Sequence, residues 1–117
     1  MNMLNSIIVE GNIYPESIKE EPLMGTVRAE IGTESMCRGP DGRVETVTDF
    51  FPVVMSGSLA GYFKEHYADY ERVRVVGRLR QHRWADADGR NHSAIVLLAE
   101  HVEFAGNKSR RKRHDRT

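Results

Sequence analysis

The spacing of the apolar residues changes once from a strand pattern to a helix pattern, and this change constrains the fold most. Apolar and aromatic residues recur at i, i+3, i+4, i+7, i+8 and i+11, which is one face of a helix of about three turns. They are Leu59, Tyr62, Phe63, His66, Tyr67 and Tyr70, with Ser56 or Ser58 available as the N-cap. Aromatic residues at this spacing are typical of core packing, so we expect one helix with a buried aromatic face.

The chain on both sides of this helix favours strands, because its apolar residues are β-branched or alternate with polar ones. Three such runs precede the helix and the material for two more follows it. The predicted strands are 6–10, 26–33, 44–55, 72–84, and 92–98 continued by 101–104. Glycine, proline and acidic residues predict turns at 11–12, 38–42 and 85–89 and a loop over 14–23. Pro52 lacks an amide donor and belongs at an edge or a bulge.

One helix cannot cover both faces of a five-stranded sheet. Closing the sheet into a small barrel, with the helix at one end, removes most of the exposed edges. The element order therefore predicts an all-β protein with one helix: an OB-fold, that is, a five-stranded Greek-key barrel with a helix between strands 3 and 4. Barrels of this kind commonly bind oligonucleotides on one face.

The charge is distributed unevenly, although the formal net charge is zero. Residues 105–117 carry six Lys or Arg and one Asp, whereas residues 1–104 carry 11 basic and 16 acidic residues. We expect one folded domain over 4–104 and a basic, disordered tail over 105–117, because the tail has almost no apolar residue to bury. A basic tail on an acidic body suits a polyanionic partner, and it also suits a solvated tail that only aids solubility.

The segment from Arg72 to Trp84 carries the main candidate site. Successive side chains of a strand point to opposite faces, so Val73, Val75 and Leu79 suit the barrel interior. The opposite, outer face receives Arg72, Arg74, Arg78, Arg80, His82 and Trp84. Arginines neutralise phosphates and a flat ring stacks on unpaired bases, so this row indicates a single-stranded nucleic acid as the partner. Alternating Arg and Val also suits a solvated sheet edge, and a bulge at Gly77 would shift the assignment of faces.

Phe50 and Phe51 offer a second stacking position. Because they are neighbours in a predicted strand, one is expected to face inward and the other outward. The alternative is that both are buried near a barrel end or a subunit contact.

Residue patterns that support catalysis are missing. The sequence has no P-loop and no GxGxxG, and its histidines lack the spacing of metal ligands. Cys37 is the only cysteine, which excludes an intramolecular disulfide and suggests a small loop residue. We therefore expect no enzyme, no metal and no cofactor. With no signal peptide and no apolar run approaching about 20 residues, we expect a cytoplasmic, nucleoid-associated protein without membrane contact.

Four segments in register resemble the bacterial single-stranded DNA-binding protein family. They are residues 4–13, 48–57, 58–60 and 77–89, the last with the Gly-x-Leu-x-x-x-x-Trp pattern. The resemblance implies a homotetramer that coats single-stranded DNA in replication, recombination and repair, with possible replication or repair proteins as partners. It also implies that Trp84 stacks on a base and that Phe50 occupies another stacking position.

The sequence departs from the family pattern at three places. Met36-Cys37 and Ser56 stand where the family often has aromatic residues, and the basic run 110–113 replaces an acidic tip. These departures suggest an alternative, a primosomal-type OB-fold dimer that acts mainly as a protein-docking module with weak single-strand binding. An assembly OB domain without a nucleic-acid role is a third possibility.

Deletion of residues 106–117 tests the function of the basic tail. The deletion removes six cations, so we expect weaker binding to all sequences at low salt while assembly and thermal stability stay unchanged. Binding and melting curves of the truncated and full chains measure both. Loss of folding or of the oligomer would show that the tail is structural.

Overall fold

The sheet closes into a barrel because its first strand pairs with two neighbours. The computed structural model describes residues 3–108 and contains six strands, one α-helix and two short 3₁₀ helices. The strands are β1 (Ile7–Ile13), β2 (Lys19–Glu21), β3 (Thr26–Arg38), β4 (Val44–Ser56), β5 (Tyr70–Ala85) and β6 (Asn91–Asn107). Helix α1 spans Gly57–His66, and the 3₁₀ helices span Pro15–Ser17 and Tyr67–Asp69.

The strand order around the barrel is β1-β5-β6-β4-β3, and β3 pairs back to β1. The β4–β6 pairing is parallel and is centred on Val53 opposite Leu97, while the other pairings are antiparallel. The short strand β2 lies outside the closed ring, on β3. The predicted five-stranded OB-fold barrel, with its helix between the third and fourth barrel strands, is confirmed.

The closure depends on Gly11, which lies inside β1. Asn12 pairs with both Arg72 of β5 and Gly32 of β3, so β1 passes from one neighbour to the other at this point. A Cβ atom on Gly11 would overlap the backbone carbonyl of Gly32. The predicted turn at 11–12 is therefore wrong: glycine is needed here for close approach of two backbones, not for a change of direction.

Other differences from the expected elements concern their ends. The segment 14–23, predicted as a loop, contains β2 and a 3₁₀ helix, and β3 continues five residues beyond 33 to Arg38. Tyr70 begins β5 instead of ending the helix, and its ring stacks on Phe104 at 5.2 Å between centroids. The predicted turn at 38–42 is present, with the Gly39 N–H donating to the Arg43 carbonyl.

The core lies between the barrel strands and one face of α1. Its buried side chains come from all five barrel strands and the helix, and include Ile31, Met55, Phe63, Val73 and Val75. Phe63 and Ala60 are the buried residues of the helix, Leu59 and Tyr67 pack at the margin of the core, and Tyr62 is exposed. The aromatic helix face is therefore buried in its centre and open along one side. Ser56 is the N-cap residue, without a side-chain hydrogen bond to the helix.

Two hairpins extend beyond the barrel as exposed arms. We call residues 34–51 of β3, β4 and their turn the β3–β4 arm, and residues 78–95 of β5, β6 and their turn the β5–β6 arm. Most of their side chains are exposed on both faces. Leu79, expected in the barrel interior, is 45% exposed because β5 leaves the barrel at Gly77. That expectation is wrong, whereas Val73 and Val75 are buried as predicted.

The register of β5 and β6 shifts beside Gly77. Val76 pairs with His101 and Gly77 with Ala99, so the extra residue, Glu100, lies on β6. The alternation of β5 therefore continues through Gly77, and the assignment of its faces does not change.

Gly11→Ala tests the closure of the barrel, with Gly61→Ala as the matched control. We expect Gly11→Ala to lower the free energy of unfolding by about 1–3 kcal/mol, because its methyl group meets the Gly32 backbone. Gly61 lies in α1 with no atom within 4 Å of an added Cβ. Because alanine favours a helix more than glycine does, Gly61→Ala should raise the free energy of unfolding by about 0.5–1 kcal/mol. Denaturant unfolding measures both, and equal effects of the two substitutions would contradict the proposed close approach.

Candidate nucleic-acid interface

The predicted site residues of β5 share one face of the strand. Because the alternation continues through Gly77, Arg78, Arg80, His82 and Trp84 lie on the same face of the β5–β6 arm, and all are exposed. Arg72 and Arg74 lie on the outer face of the barrel wall, before the arm begins. The row spans roughly 40 Å at the rise of an extended strand. It runs along the strand and is not a compact pocket.

Arg74 differs from the arginines of the arm in its partners. Its guanidinium lies 3.2 Å from Oε1 of Glu10 and 3.7 Å from Oε2 of Glu103. A hydrogen bond from His101, the charge of His101 and the charge of Arg74 lower the pKa of Glu103. Two carboxylates thus compensate the charge of Arg74, and a phosphate would have to compete with them.

Arg78 and Arg80 keep their positive charge available. Within residues 3–108 neither forms a hydrogen bond or an ion pair with another side chain. An exposed arginine without a carboxylate partner can neutralise a phosphate without first losing an interaction.

Trp84 contacts two histidine rings near the tip of the β5–β6 arm. Its centroid is 5.2 Å from that of His82 and 5.4 Å from that of His92, with angles of 24° and 21° between the ring planes. His82 precedes Trp84 by two residues on the same face, and His92 is directly opposite on β6. We call His82, Trp84 and His92 the ring array. Trp84 is 44% exposed, which leaves indole surface for a base.

Asp86 joins the ring array to the turn of the arm. One carboxylate oxygen, Oδ1, accepts the backbone N–H groups of Asp88 and Arg90, and Oδ2 lies 2.7 Å from Nε2 of His92. The hydrogen bond to His92, followed by those from Arg90 and Asp88, lowers the pKa of Asp86. The acidic turn predicted at 85–89 is thus present and also fixes a ring beside Trp84.

Phe50 lies at the base of the β3–β4 arm and is 54% exposed. It pairs with Gly32 of β3, and Tyr14 covers that glycine: a Cβ atom there would overlap the tyrosine ring. Tyr14 contacts Phe50 edge to face, with centroids 5.2 Å apart. Phe50 and Tyr14 together form a second exposed aromatic surface.

Phe51 pairs with the buried Ile31 and so points to the opposite side of β4 from Phe50. Phe51 is nevertheless 41% exposed, because β4 reaches the end of the barrel at this position. The expected alternation is present, but neither ring is buried in the single chain.

The two aromatic surfaces lie at the same end of the barrel. Strands β4 and β6 run parallel where Val53 faces Leu97, and each enters the barrel from its own arm. The β3–β4 arm with Phe50 and the β5–β6 arm with Trp84 therefore leave the barrel in the same general direction.

Sequence reasoning missed His92 and Tyr14. His92 could have been found by counting the hairpin register outward from the acidic turn, which places it opposite Trp84. Tyr14 gave no such signal, because its contact with Phe50 depends on the path of the chain over Gly32. Within the described residues, no group of three His, Cys, Asp or Glu is placed to hold a metal ion. No helix of that part of the chain is long and apolar enough to span a membrane.

Comparison with known proteins decides the family. The sequence model of the Single-strand binding protein family matches residues 4–105. The chain belongs to this family. The resemblance noted from the four segments is thereby confirmed.

Relatives of this family member include the single-stranded DNA-binding proteins of Xanthomonas axonopodis pv. citri and Thermotoga maritima. The first is 25% identical over 90% of this chain and 59% of its own length. The second is 26% identical over 92% of this chain and 78% of its own length. The chain thus spans about three-fifths of the length of the Xanthomonas protein.

Solved structures of related proteins share the fold. A Plasmodium falciparum SSB in complex with ssDNA superposes with a TM-score of 0.72 at 18% identity, covering 90% of this chain and 97% of that chain. A small single-stranded DNA binding protein from Mycoplasma pneumoniae gives a TM-score of 0.65 at 19% identity, covering 91% and 99%. At these levels of sequence identity, the superpositions show that the barrel fold is shared.

The exposure of Trp84 predicts that its removal leaves the fold intact. We expect Trp84→Ala to change the free energy of unfolding little, because the ring lies on an arm outside the core. Phe63→Ala removes an aromatic ring that is fully buried, so it should lower the free energy of unfolding by about 3–5 kcal/mol. Denaturant unfolding of both variants makes the comparison, and a loss of similar size in the two would mean that Trp84 is a core anchor.

Proposed function

We propose that this member of the Single-strand binding protein family binds single-stranded DNA without strong sequence preference and performs no catalysis. The observation that carries the proposal is the half-exposed Trp84 at the end of a strand face on which Arg78 and Arg80 have no carboxylate partner among the described residues. The ring stacks on bases and the arginines neutralise phosphates.

The chemistry of this face supports binding without sequence readout. Stacking tolerates every base, because each has an aromatic face, and contacts to phosphates carry no sequence information. The second aromatic surface, Phe50 with Tyr14, lies at the same end of the barrel and offers a further stacking position. A strand of DNA that contacts both arms would pass over this end.

We assign the binding unit to residues 4–104 and the biological role to protection of single strands in replication, recombination and repair. The relatives named single-stranded DNA-binding proteins support this role. We propose that the protein acts in the cytoplasm at the nucleoid as a homotetramer, with replication or repair proteins as possible partners, and that residues 105–117 add affinity for phosphates by their charge.

One observation favours the primosomal-type alternative, a dimer that docks proteins and binds single strands weakly. Met36, where the family often has an aromatic residue, is 76% exposed on the β3–β4 arm, and Ser56 caps the helix at the second such position. Each missing aromatic residue removes about 1–3 kcal/mol of stacking free energy.

Titration of labelled dT and rU oligonucleotides, with the protein mass measured alongside, separates the two functions. Tight, salt-sensitive binding to dT supports the DNA coat, weak binding by a dimer supports docking, and no binding contradicts both.

Salt dependence tests the contribution of the arginines. With roughly three to five phosphates neutralised per site, we expect log K to fall against log salt with a slope of about −2 to −4. Replacing Arg78 and Arg80 together by alanine should reduce the magnitude of the slope by about 1.4. Arg83→Ala, on the opposite face of the same strand, is the control and should leave the slope nearly unchanged. A slope near zero in the parent protein would remove the phosphate contacts from the mechanism.

Trp84→Ala tests stacking directly. We expect binding to weaken by about 1–3 kcal/mol, by similar amounts for different base sequences. Trp84 is the only tryptophan, so its fluorescence should be quenched when oligo(dT) saturates the parent protein. Unquenched fluorescence together with normal binding by the alanine variant would show that the binding face has been assigned to the wrong surface.

A further inference from the structure

The hydrogen bonds of Asp86 have a consequence for the stacking residue. The carboxylate uses one oxygen to close the turn of the β5–β6 arm and the other to hold the His92 imidazole. The same imidazole stacks on Trp84, with an angle of 21° between the ring planes. The orientation of the indole is therefore connected, through one ring, to the most strongly hydrogen-bonded residue of the turn.

We propose that Asp86 and His92 form a positioning pair that holds the Trp84 indole in its base-stacking orientation, a role that rests on the proposed single-strand binding. An exposed side chain that must become ordered on binding lowers the affinity, and order present beforehand restores it. A near-parallel ring directly across the hairpin restricts rotation of the indole while leaving much of its surface exposed.

His82 stacks on Trp84 as well but is held differently. Among the described residues His82 forms no hydrogen bond with a carboxylate, whereas His92 lies 2.7 Å from Asp86. The positioning function therefore belongs to His92 and Asp86. His82 adds a second ring whose own orientation is less constrained.

Two substitutions remove the pair without removing Trp84. Asp86→Asn keeps an oxygen for the backbone N–H groups of the turn and replaces the oxygen that faces His92, while His92→Gln removes the ring. We expect each to weaken binding to oligo(dT) by about threefold to tenfold, the range for one side chain that regains its rotational freedom. Trp84 fluorescence anisotropy should fall in both variants when no DNA is bound, because the indole regains rotational freedom.

His101→Gln is the matched control. His101 and Glu103 form the same kind of exposed pair on the same strand, 3.0 Å apart, but at the barrel and away from Trp84. This variant should keep the affinity and the anisotropy of the parent protein. Melting curves of all variants show that each is folded at the temperature of measurement.

The outcomes separate this inference from the proposed function. If Trp84→Ala loses affinity while Asp86→Asn and His92→Gln bind and fluoresce like the parent protein, the positioning pair is wrong and the proposed function stands. If Asp86 and His92 only stabilised the turn, these variants would have a lower melting temperature but an unchanged anisotropy and affinity. That result would also contradict the proposed positioning of Trp84. If the parent protein does not bind oligo(dT), both proposals fail.

Discussion

The close approach of β1 and β3 at Gly11 and Gly32 is the contact on which the rest of the structure depends. It lets one strand pair with β5 on one side and β3 on the other, which closes the sheet and leaves the core between the barrel wall and α1. In an open sheet, edge backbone groups would remain unpaired and one helix would cover too little apolar surface. The closed barrel pairs the edge backbone groups and buries the apolar surface with about 100 residues of chain.

Closure also determines where binding can occur. Because β4 and β6 meet in parallel at Val53 and Leu97, the hairpins that contain them continue beyond the barrel at one end. Outside the barrel the strands have no core to cover, so polar, basic and aromatic side chains occupy both faces at little cost in stability. The rigid barrel thus carries two arms whose side chains are free to serve a ligand.

The electrostatics of β5 differ between the barrel and the arm. At the barrel wall Arg74 forms ion pairs with Glu10 and Glu103, whereas Arg78 and Arg80 on the arm have no carboxylate partner within residues 3–108. Acidic residues of the body therefore compensate the charge of Arg74 and leave those of Arg78 and Arg80 available. A formal net charge of zero is compatible with polyanion binding when the charges are separated in this way.

The sequence by itself determined the class of fold, the order of the elements and the row from Arg78 to Trp84. Each of these depends on local periodicity, which one strand or helix expresses without its neighbours. Tertiary structure decided what depends on contacts between distant segments. The sequence wrongly predicts a turn at Gly11, because the approach of β3 is invisible along the chain. It wrongly predicts Leu79 in the barrel interior, because the end of the barrel has no local signal. For the same reason the carboxylates around Arg74, the Tyr14–Phe50 contact and the stack of His92 on Trp84 emerge only when the strands are paired.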